Sequence, residues 1–168
     1  MPAFGFEIDN QDIKNLAKVL RKVSPTLGRE MRRAVREAAR PVINDMRAEI
    51  GGNSMTATGT GVHAYDGPSG GGGITAKMQR SVALRISGGR VRIYVRPGAL
   101  GSAAKLPAYI DAGTSWKHPV LGNQKAWVSQ RGSAAGWFTD TAHRHHPQVK
   151  ADVQDALDVT ARKLVAML

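Results

Sequence analysis

Two periodicities divide the chain. Between residues 10 and 23 the apolar positions Ile13, Leu16, Leu20 and Val23 recur at three and four, which places them on one face of a helix behind the cap-type residues Asp9 and Asn10. Ser24-Pro25 then supplies a capping hydroxyl and a proline at the first helical position, where a missing amide hydrogen costs nothing. A second helix is predicted there, with Leu27, Met31, Val35, Ala38, Val42 and Met46 inward and Arg29, Arg32, Arg33, Arg36 and Arg40 on the remaining surface. Pro41 is expected to kink it, and Gly51-Gly52 to end it.

The period changes to two at SGGRVRIYVRPG, Ser87 to Gly98. Arg90, Arg92, Tyr94 and Arg96 fall on one side of a strand, and Val91, Ile93 and Val95 on the other. With Val82, Leu84 and Ile86 before a Gly88-Gly89 turn, this predicts a β-hairpin with one buried face and one arginine face. The arginine face must meet water, nucleic acid or another subunit. Short segments around 108–110 and 126–129 are read as a helix and a strand, and Pro147 as the opening of a final helix with Val149, Val153, Leu157, Ala161, Leu164 and Leu168 inward. Residues 51–73 hold neither period and many glycines, which predicts a flexible arm ordered by contact with something else. The expected architecture is α+β: one domain over residues 1–168, with amphipathic helices packed on one face of a small antiparallel sheet.

Composition narrows the function. At 168 residues and 42% hydrophobic content the chain can bury one core without staples. The absence of cysteine excludes disulfides, thiol catalysis and cysteine-ligated metals. No apolar run is long enough to span a membrane, and the first residues, MPAFGFEIDN, do not read as a secretion signal. The net charge of +11 favours polyanions or acidic partners. Residues 74–110 concentrate it: Lys77, Arg80, Arg85, Arg90, Arg92, Arg96 and Lys105 stand there against no acid.

The candidate chemistry is sparse. GPSGGGGIT, residues 67–75, lacks the Gly-Lys-Ser/Thr ending of a phosphate loop. Asp111-Ala112-Gly113-Thr114 departs from the aspartic-protease pattern at Ala112 and has no second copy, so it reads as a turn with Asp111 capping and Gly113 at positive φ. His143, His145 and His146 could hold a metal but more simply decorate the entrance of the last helix, with His146 as its cap. Trp116, Trp127 and Trp137 could stack on bases, or seal a core or an interface. No catalytic, cofactor or metal site is expected, and the protein is read as a non-enzyme.

At TAKMQRSV, LPAYIDAGT and GWFTDTAH, ahead of a long C-terminal helix, the chain resembles the small neck and tail-completion proteins of long-tailed bacteriophages, the gene-product-ten-like group related to minor tail protein Z. Thr75, Met78, Ser81 and Val82 stand for the first family motif, Tyr109, Ile110, Asp111, Gly113 and Thr114 for the second, and Trp137-Phe138 for the third. Ala76 and Asp111 replace the usual glycine and glutamate, the proline before Phe138 is absent, and the segment from Ser115 to Gly136 is longer than usual. The resemblance implies a structural ring subunit of the virion, commonly a hexamer, assembled in the host cytoplasm. It would contact head connector or stopper and tail-tube proteins around a channel for DNA, with non-specific DNA contact in the lumen. Arg80, Arg85, Arg90, Arg92 and Arg96 would then face neighbours or DNA. The alternative is a basic nucleic-acid-binding protein using the same arginines on phosphates.

Overall fold

The computed structural model describes residues 5–9, 11–58, 73–87, 90–120 and 123–167. It is an α+β fold with two small antiparallel sheets rather than the single one expected.

Three strands form the first sheet: β1 (Gly5–Asp9), β3 (Val82–Ser87) and β4 (Arg90–Val95), in the order β1-β4-β3. Val91, Ile93 and Val95 are buried at alternate positions, as a period of two requires. Their partners in register are Ile8, Phe6 and Val82, so the inward face is apolar across all three strands. The second sheet has the order β2-β6-β5, from β2 (Met55–Thr58), β5 (Trp116–Val120) and β6 (Asn123–Gly132).

Among the described residues five α-helices accompany the sheets. α1 (Gln11–Val23) and α2 (Pro25–Gly51) lie close to their predicted bounds, and the Ser24 hydroxyl accepts from the Leu27 amide at 3.3 Å. α2 continues through Pro41, and its buried stripe takes Ala39 and Ile50, with Ala38 half-buried. Val23, expected inward, is exposed where α1 runs out. α3 (Ile74–Ser81) and α4 (Leu106–Asp111) are short, and α5 (Thr139–Val165) is long. Met31, Val35, Val42 and Met46 of α2 join Val149, Val153 and Leu157 of α5 and the inner face of the first sheet in one core. Each such side chain contributes about 1.5–3 kcal/mol by leaving water.

Three expectations need correction. The predicted arm of residues 51–73 begins with the last residue of α2 and includes β2, which pairs with β6 from Met55 opposite Gly132 to Thr58 opposite Ser129; residues 59–72 lie outside the described residues, as does the Gly88-Gly89 turn. α3 fills a stretch with no predicted element. α5 begins eight residues before Pro147, which sits inside it. His146 is therefore not a cap, and the inward position is Thr160, whose hydroxyl donates to the Ala156 carbonyl at 2.8 Å, with Ala161 only half-buried.

Candidate functional site

The early start of α5 has a tertiary cause. The Asp111 carboxylate, at the end of α4, accepts from the amides of Phe138 at 2.8 Å and Thr139 at 3.0 Å, and from the Thr139 hydroxyl. It therefore caps a helix 27 residues away along the chain. Two further bonds close the same joint: Gly136 donates its amide to the Asp111 carbonyl at 2.7 Å, and the buried Trp137 donates its indole N–H to the Pro107 carbonyl at 3.3 Å.

α4 itself ends in a Schellman turn. Gly113 has φ +63, its amide donates to the Ile110 carbonyl at 2.9 Å, and the Thr114 amide donates to the Tyr109 carbonyl at 3.0 Å. The predicted turn is thus observed. Tyr109, Asp111, Gly113 and Thr114 act with Trp137 and Phe138 as a structural joint, and the carboxylate is occupied by capping.

The arginine face is the more open surface. Arg85 of β3 stands directly opposite Arg92 of β4, and Glu7 of β1 stands opposite Arg92 on its other side. Like charges in register repel, and Glu7 offsets part of that repulsion. Glu7 Oε1 also lies 3.4 Å from Arg90 Nε, and Arg92 sits 5.9 Å from the Tyr94 ring centroid. Glu7, Arg85, Ser87, Arg90 and Arg92 line a shallow concavity of about 180 Å³. Both members of the Arg90–Glu7 pair are exposed, so it stabilises the fold by less than about 1 kcal/mol.

Of the five arginines singled out, Arg85, Arg90 and Arg92 line this concavity. Arg96 follows the last paired residue of β4, and Arg80 lies on α3. Glu7 was not foreseen. Its signal, Phe6 and Ile8 flanking an acid, spans too few residues to establish a strand alone.

The other polar groups act between elements. Arg47 on α2 donates to the carbonyls of Gln79 at 3.1 Å and Val82 at 3.0 Å, and the Gln79 amide returns a bond to the Arg47 carbonyl. The three histidines diverge: His145 Nε2 lies 2.7 Å from Asp45 Oδ2, and His146 packs edge-on against Phe6. Among the described residues no group of three His, Asp or Glu side chains gathers as a metal site. A wider concavity of about 450 Å³ between α2 and the approach to α5 is lined by Asp45, Glu49 and Ser133. Its acids are engaged, Asp45 with His145 and Glu49 with Arg144 at 3.6 Å.

The tryptophans separate equally clearly. Trp137 is buried, Trp116 is half-buried against the core and Trp127 is 51% exposed. Among the described residues no helix is long and apolar enough to cross a membrane. No protein-family profile, curated protein or solved structure matches this chain.

Proposed function

We propose that the protein is a non-catalytic structural subunit of a bacteriophage neck or tail. It forms a homo-oligomeric ring, hexameric by the family resemblance, that joins the head connector to the tail tube around the DNA channel in the virion. The observation that carries this reading is Glu7 seated in the guanidinium row of Arg85, Arg92 and Arg90. A carboxylate already fits this face, so acidic surfaces of neighbouring subunits are its natural complement.

A second reading, a basic nucleic-acid-binding protein, draws on α2. Arg29, Arg33, Arg36 and Arg40 follow a spacing of four, three and four, and all are exposed. They form a stripe about 16 Å long, a length that several phosphates of a nucleic-acid backbone would occupy.

Replacing Arg90, Arg92 and Arg96 together with Gln separates the two. Under the ring reading the variant loses assembly or particle joining, and DNA binding falls only as far as the lost charge dictates. The measurement is oligomer mass and DNA affinity across a salt series on the same variant. Intact rings with abolished DNA binding would overturn the ring-interface reading and favour the second.

A further inference from the structure

We infer that the outer face of the second sheet docks on the outer face of α5 of a second copy of this chain, head to tail. The inference rests on the ring reading and names one of its contacts.

Strand parity defines the first surface. Val128 and Gly132 of β6 are buried, and Met55 and Trp116 from the flanking strands pack against the core. The opposite parity places Trp127, Ser129 and Arg131 of β6 on the outer face, with Lys117 of β5 opposite Ser129 in register; Lys125 lies two residues before Trp127, past the register shift at Pro119/Val120. Lys117, Lys125 and Arg131 are exposed, and half of the Trp127 surface meets solvent. This is a large aromatic ring with two cations, Lys117 and Arg131, on its face of the sheet.

Helical spacing defines the second surface. Asp152, Asp155, Asp158 and Val159 fall within about 120° of one another, facing away from the buried stripe of Val153, Leu157, Thr160 and Leu164. Asp155 and Asp158 are exposed, as is Val159 at 44%. Asp152 and Asp158 accept from Gln148 and Gln154, neutral amides that leave their charge in place. Arg162, four residues after Asp158 on the same face, bounds the patch along the helix. In a chain of net charge +11 this acidic stripe is exceptional.

The two surfaces complement each other: two cations beside an exposed ring on one, three carboxylates around an exposed valine on the other. They belong to different elements, so the contact between copies is heterologous. Such a contact generates a ring when its rotation closes. Aromatic anchors with flanking charges are also the residue types that carry most of the energy in such interfaces.

Charge reversal tests the pairing in the full chain, with circular dichroism to establish that each variant is folded. Lys117→Glu with Arg131→Glu gives one variant, and Asp155→Lys with Asp158→Lys gives the other. Each alone is expected to need at least tenfold more protein to assemble, read by sedimentation or mass photometry. A 1:1 mixture of the two is expected to assemble at the wild-type concentration, because each reversed face then meets its complement. Trp127→Ala should weaken assembly at least tenfold without changing charge. Assembly that survives both reversals overturns this docking face while leaving the ring reading intact. A wild-type chain that is monomeric at every concentration, alone and with tail components, overturns both. Stoichiometric quenching of Trp127 emission by oligo(dT), with no response of oligomer mass to the reversals, would assign the face to single-stranded nucleic acid instead.

Discussion

Asp111→Ala removes the acceptor for two main-chain amides and one hydroxyl at the start of α5. The expected loss is about 1–2 kcal/mol, the upper range for a helix cap, because the freed donors lie against a buried Trp137-Phe138 corner. Asp111→Asn keeps one accepting oxygen and should retain part of that stability. Urea denaturation of the three proteins decides it, and equal midpoints for alanine and wild type would refute the cap. At Gly113 the backbone is left-handed, and a Cβ would stand 3.2 Å from the Ala135 Cβ. Gly113→Val should therefore destabilise by about 1–3 kcal/mol through φ strain alone. Wild-type thermal stability in that variant would sink the turn assignment.

Elements with a full period were readable from the sequence, and elements made by tertiary partners were not. α1, α2 and the β3–β4 hairpin each repeat their pattern over several turns or pairs, so local chemistry suffices to locate them. β2 alternates over only four residues, Met55 to Thr58, too few to establish a strand alone, and it pairs with β6. The first turns of α5 hide behind Pro147, which signals a beginning only when nothing upstream caps the helix. The site divides the same way: alternation located Arg85, Arg90 and Arg92, whereas Glu7 required knowing that β1 returns to β4. Pro147 sits exposed inside α5 and cannot donate a main-chain hydrogen bond there. Pro147→Ala should accordingly stabilise the protein by about 1–3 kcal/mol, seen as a higher melting temperature. An unchanged or lower one would show that α5 uses the break.

Across the whole molecule the positive charge is divided between surfaces with different neighbours. The arginine row of the first sheet contains a carboxylate, and the α2 stripe has Glu37 beside Arg40 at 2.8 Å and Glu30 beside Lys163 at 3.3 Å. Replacing Arg29, Arg33, Arg36 and Arg40 with Gln should lower the salt slope of DNA binding by about 3 to 4 units if each arginine neutralises one phosphate. In the ring reading that variant still assembles. Filter binding from low to physiological salt, beside the oligomer mass, measures both; an unchanged slope would remove α2 from any DNA contact.

The order of the first sheet has a consequence for synthesis. β4 pairs with β3, which ends two residues before it, but its other neighbour, β1, precedes it by roughly 80 residues, with Asp9 opposite Arg90. At translation rates of about 5–20 residues per second, β1 leaves the ribosome roughly 4 to 16 s before its partner is made. A hairpin closes in about 1–10 μs once both its strands exist. On the ribosome, then, β1 lacks its partner among the described strands until β4 arrives and closes the sheet.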